Sequence, residues 1–187
     1  ADQLTVNNGA ILSINAAIIL TIKDGSGTDL YLASGGIISG SGTLQTQGAD
    51  VYLDIRGNGF NIAFKLNSGR TSVNDATVAT AKFNGIMTID AGTTFAVAPG
   101  GYTVTAYNNV VNNGKITSTG GYFIMRGASL TNNDTIRGSN VYFDSTTSLS
   151  GTGAYTANNI SVRSTGNVSL ANNLTFSPTP SFSVSTG

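Results

Sequence analysis

The side chains able to do chemistry are few and narrow in type. Nine Asp supply every acid and nine Lys and Arg every cation, while Glu, His, Cys and Trp do not occur. Without His or Cys there is no Ser-His-Asp or Cys-His triad, no thiol nucleophile and no zinc site of ordinary ligand type. What remains is carboxylate chemistry, in which paired Asp side chains with a basic neighbour cleave glycosidic bonds. Asp50 and Asp54 sit at same-face positions of a strand with Arg56 close by, but a solvated strand face explains these residues equally well, and the other acids are scattered. Asp24-Gly25-Ser26-Gly27-Thr28-Asp29 starts like a calcium loop, yet no Glu exists to close it, so it reads as a polar corner. Gly35-Gly36 and Gly40-Ser41-Gly42 lack the Lys-Ser/Thr of a phosphate loop and read as corners too. No catalytic, metal or cofactor site is expected.

The charges cancel and form no basic run, which gives no support to nucleic-acid binding or to an anionic membrane surface as partner. The longest apolar run, residues 16–20, is far below the roughly 18 residues that span a bilayer. No basic-then-apolar leader opens the sequence, so an exported chain would be expected in its mature form. Absent cysteine argues against a small disulfide-stapled domain. Scarce helix formers and plentiful Thr, Val, Ile and aromatic residues favour strand.

The elements that would position any site show themselves as a repeat. Gly100-Gly101-Tyr102 returns as Gly120-Gly121-Tyr122, and Asn112-Asn113-Gly114 as Asn132-Asn133-Asp134, each twenty positions on. Strand-like pairs follow at Tyr102/Val104, Tyr122/Ile124, Val141/Phe143 and Ile160/Val162. Two further apolar positions fall in each interval, such as Val110 and Ile116, Leu130 and Ile136, Leu149 and Tyr155. Asn and Gly between them tolerate the left-handed backbone of sharp corners. Near the start, Leu4/Val6, Leu12/Ile14 and Leu20/Ile22 recur every eight residues, and Leu30/Leu32, Ile37, Leu44 and Val51/Leu53 continue the pattern.

Three short strands per 19–20 residues predict an all-β fold, a single-stranded parallel β-solenoid of about nine rungs in which each strand pairs with its equivalents above and below. The whole of 1–187 is expected to form one domain, with an irregular or inserted region at about 56–82 where the register is lost. A β-sandwich or jelly roll is the alternative.

If the strand pairs point inward, Thr103, Thr105, Phe123, Met125 and Tyr142 point outward and form a possible binding or packing face; a covering loop would account for the same apolar strip. Thr103-x-Thr105 is one row of an ice-binding array, which Phe123/Met125 would break. Asp144 and Arg163 should meet as an exposed ion pair. The ends of a solenoid expose core and strand edges, so end-to-end self-association, even into filaments, is a further expectation.

The phrasing of residues 4–14, LTVNNGAILSI, resembles repeats of bacterial surface β-helix proteins, including autotransporter passengers, and the 19–20 spacing from Tyr102 to Val162 resembles filamentous-haemagglutinin-type adhesins. The resemblance implies a secreted or cell-surface protein with a structural or adhesive role and glycan or host-surface partners. The function expected is therefore a non-catalytic adhesin segment or fibre subunit. A glycan- or ice-binding solenoid is the second reading, and a polysaccharide-degrading β-helix enzyme the third.

Overall fold

The computed structural model describes residues 3–56, 59–73, 80–163, 167–176 and 181–185. Among them there is no helix, and the chain winds as a parallel β-solenoid. Its three faces are traced by register. On the first, Leu4 pairs with Leu30, then in succession Leu53, Val73, Val97, Ser118, Gly138 and Ala157. The second stacks Ile38, Phe60, Phe83, Ala106, Met125, Phe143 and Val162. The third stacks Leu20, Leu44, Phe64, Met87, Val110, Leu130, Leu149 and Leu170.

Nearly every member of these columns is apolar because side chains alternate across a strand, so residues in register share one side of the sheet and meet in the core. The early turns are longer than the repeat in the second half: Leu4 to Leu30 is a step of 26 residues, Gly138 to Ala157 one of 19. The chain therefore completes slightly fewer turns than the nine or so expected.

Phe60–Val73 forms a strand paired with Ile37–Ile55 below and with Thr80–Phe83, Met87–Ile89 and Thr94–Val97 above. Its pairing slips at three places, between Ser39 and Thr43, Thr46 and Gln47, and Gly48 and Val51. Such bulges hide a fixed period from the sequence. At that corner Gly69 has φ of 72°, and a Cβ there would run into the Gly48 carbonyl. The rest of the region expected to be irregular, residues 57–58 and 74–79, lies outside the described residues.

The doubled phrase at 100–136 is two consecutive turns, but its phase differs from the expected one. Thr103 pairs with Tyr122 and Val104 with Phe123, a step of 19 where the text repeats every 20. Five residues, 98–102, round the corner between Val97 and Thr103, whereas three, 119–121, join Ser118 to Tyr122. The two Gly-Gly-Tyr phrases are therefore out of step on this face. A one-residue slip turns every side chain of a strand to its other side. Phe123 and Met125, expected outside, are fully buried, while Tyr122 and Ile124 face out. The realised phase buries two large side chains that have no polar atom needing a partner.

Asn112-Asn113 and Asn132-Asn133 do stack at a corner. Inside it, Asn112 Nδ2 donates to Asn132 Oδ1 at 2.7 Å, and Asn132 Nδ2 donates to the Ala154 carbonyl at 3.1 Å. Outside it, Asn133 Nδ2 donates to Asn113 Oδ1 at 2.7 Å. Each buried amide thus ties its own turn to the next.

Phe60, Phe64, Phe83 and Phe95 fill the interior of the middle turns, with Phe64 and Phe83 edge to face at 5.0 Å and Phe83 and Phe95 at 5.7 Å. Phe64→Ala should lower unfolding free energy by about 3–5 kcal/mol in urea titration, and a loss under about 1 kcal/mol would contradict this packing. Tyr155 is also wholly buried, and its hydroxyl has no hydrogen-bond partner among the described residues. Burial pushes its pKa well above the usual tyrosine range. Tyr155→Phe removes an unpaired polar atom while keeping the ring, so thermal unfolding should show stability equal to or up to about 1 kcal/mol above the parent; a clear loss would mean that the hydroxyl is bonded.

Candidate functional site

The register of the second face fixes which side chains lie on its outer side, where Thr105 and Ser161 are nonetheless buried. One outward column runs Thr80, Thr103, Tyr122, Asn140, Asn159, and a second runs Lys82, Thr105, Ile124, Tyr142, Ser161. Tyr107, Arg126 and Asp144 each follow the last paired residue of their strand, Arg163 ends its own, and the four stack as a third column at the edge. Of the proposed face, Thr103 and Tyr142 are half-buried on the outer side, Thr105 lies on that side but is buried, and Phe123 and Met125 face the core. Thr103 and Thr105 have Thr80 and Lys82 beneath them and Tyr122 and Ile124 above, so the threonine row does not extend into an array.

The rings and charges of this face bind one another. Tyr122 and Tyr142 lie 5.5 Å apart between centroids, and the Arg163 guanidinium sits 3.8 Å over the Tyr142 ring. Asp144 accepts from Arg163 through Nε at 2.8 Å and Nη2 at 2.9 Å, and from Arg126 Nη2 at 3.2 Å. Arg126 Nη1 in turn donates to the Tyr107 hydroxyl at 3.0 Å. The expected Asp144–Arg163 pair thus forms, but with a side chain only 10% exposed and a second arginine attached. A two-point guanidinium–carboxylate contact stacked on a ring is stronger than an ordinary surface pair. Residue type and spacing do not mark Arg126 and Tyr107; their signal is their place directly after the strands that end at Met125 and Ala106.

The first face carries the candidate carboxylate pair. Asp50 and Asp54 share its outer side near Arg56, as read from sequence, but each is engaged. Arg56 Nη2 is 2.8 Å from Asp54. Asp50 accepts from the Tyr52 hydroxyl at 2.8 Å, from Arg70 at 3.3 Å and from Ser72 at 3.3 Å. The hydrogen bond and charge of Asp50 raise the Tyr52 pKa above its ordinary value.

In the calcium-like stretch, the buried Asp29 accepts the Gly25 amide at 2.7 Å and the Tyr52 amide at 2.8 Å, one on each oxygen, and Asp24 accepts the Asp50 amide at 3.2 Å. These carboxylates hold a corner together by satisfying backbone donors. Among the described residues no group of three or more metal-ligating side chains comes together.

No protein-family model matches this chain, and neither a curated protein nor a solved structure does. Its class rests on its own geometry: it is a parallel β-helix repeat protein. At the second face, Asp144→Asn should destabilise the protein by about 1–2 kcal/mol at neutral pH and by less in 1 M salt, because half-exposed arginines discount a charge-assisted network. Equal stability of the variant at low and high salt would show that the network carries no net energy.

Proposed function

We propose that the chain is a non-catalytic structural segment of an extracellular or cell-surface protein, part of an adhesin rod or of a self-assembling fibre. The observation that carries this reading is a ladder that runs through every described turn and presents apolar side chains at both ends. Leu4, Leu12 and Leu20, in register with the buried Leu30, Ile38 and Leu44, are only partly buried on the first turn. Leu170 and Val184 are exposed on the last, where Leu149, Val162, Phe176 and others line an open apolar cavity of about 310 Å³. Further turns of the same kind, from a longer polypeptide or a second copy, would extend the ladder and cover these side chains at both ends. Apolar burial of this size contributes roughly 25 cal/mol for each Å² removed from water.

The side chains of both faces support the same reading, since the acids described above serve corners, ion pairs and backbone amides. Negative-stain electron microscopy with a dilution series on a sizing column tests it. Rods, or association that grows with concentration and weakens when Leu170 and Val184 are replaced by Asn, are expected. Compact monomers at every concentration, unchanged by those replacements, would count against the fibre-subunit form.

A further inference from the structure

The cations divide by whether a carboxylate answers them. Arg56, Lys65, Arg70, Arg126 and Arg163 all form ion pairs. Arg137 is exposed on the first face and makes no hydrogen bond, ion pair or ring contact among the described residues. It is in register with Thr117 one turn below and Thr156 one turn above, at the roughly 4.8 Å spacing of paired strands. The adjoining corner adds Thr119, Ser139 and Asn158, and together these side chains line an open polar groove of about 290 Å³.

The hydrogen-bonding capacity of the groove is largely unspent. Ser139 Oγ accepts the Gly120 amide at 2.7 Å, which leaves its own proton free to donate. Thr117 donates only a long bond, 3.5 Å, to the Phe95 carbonyl. Thr156 and Asn158 have no partner among the described residues. Lys115, two positions before Thr117 on the same outward side, is a second cation without a carboxylate. Asp134, at the corner that opens the Arg137 strand, already accepts the Thr135 hydroxyl at 2.8 Å. The contrast with the second face is direct: there Arg126 and Arg163 pair with Asp144 and serve the fold, whereas here a guanidinium stands among hydroxyls and an amide with no partner among the described residues.

We propose that this groove binds a carboxylated sugar unit of an acidic polysaccharide, with Arg137 holding the carboxylate at two points and Ser139, Thr156 and Asn158 taking ring hydroxyls. A planar guanidinium fork fits a planar carboxylate, and a lining of hydroxyls and an amide fits a polyhydroxylated ring. A neutral sugar would leave the cation unanswered. A small inorganic anion would leave most of the lining unused. The assignment adds a ligand to the structural role and does not depend on it.

The test is titration calorimetry of the whole chain with polygalacturonate, dextran sulfate, neutral dextran and inorganic sulfate, comparing the parent with Arg137→Gln, Arg137→Lys and Lys82→Gln. Polygalacturonate should bind, neutral dextran and sulfate ion should not, and affinity should fall about tenfold or more in Arg137→Gln, the scale of a lost charge-assisted pair. Arg137→Lys should recover only part of it, and Lys82→Gln, a cation on the second face, should match the parent. Unchanged thermal unfolding of Arg137→Gln is expected, as the side chain has no partner among the described residues. Absent polygalacturonate binding, equal binding by Arg137→Gln, or an equal loss in Lys82→Gln would overturn the proposal. Tighter binding of dextran sulfate would overturn the carboxylate assignment. Electron microscopy of the same preparations reports on the rod separately, so either idea can fail alone.

Discussion

Everything in this molecule depends on the backbone hydrogen bonds that join each strand to the equivalent strands one turn below and one turn above. They set which residues stack, and because side chains alternate strictly along a strand, they also decide which side of the wall each one faces. A corner longer or shorter by one residue exchanges the inside and outside of the next strand. The choice is then made by the core. Phe123 and Met125 are taken in, Tyr122 and Ile124 are left out, and the tyrosine beside Tyr142 becomes surface.

The architecture was legible because it is written in a period. Leu30, Leu44, Leu53, Val110, Ile116, Leu130, Ile136 and Leu149 were placed inside by spacing alone, and all are buried. Corners were legible from Asn112-Asn113 and Asn132-Asn133, whose chemistry suits a sharp bend. What stayed hidden was the phase of single strands, since a doubled Gly-Gly-Tyr looks like an alignment marker while the corners around it differ by two residues. The surface was harder still. Arg126 and Arg137 are both isolated arginines in the text, and only the register places one against Asp144 and the other among threonines.

The acids show how the same residue type takes different work from its surroundings. Asp29 is buried and tolerable there because both oxygens accept backbone amides. Asp144 pairs with two arginines at the edge of a sheet, and Asp50 gathers a phenol, a guanidinium and a hydroxyl. In each case the carboxylate closes a gap in the wall or braces two turns against each other. A chain with only nine acids has put most of them into holding its shape.

The four phenylalanines of the middle turns also make the rod mechanically uneven. In a stack where each layer touches only its neighbours, strength is local, and force applied along the axis is resisted layer by layer. Phe60, Phe64, Phe83 and Phe95 interlock across successive layers, whereas in the later turns one of the three inward columns is reduced to Ser118, Gly138 and Ala157 and the large rings, Phe123, Phe143 and Tyr155, stand further apart along the chain. Pulled along its axis, such a stack would give way layer by layer and resist longest where those four rings interlock.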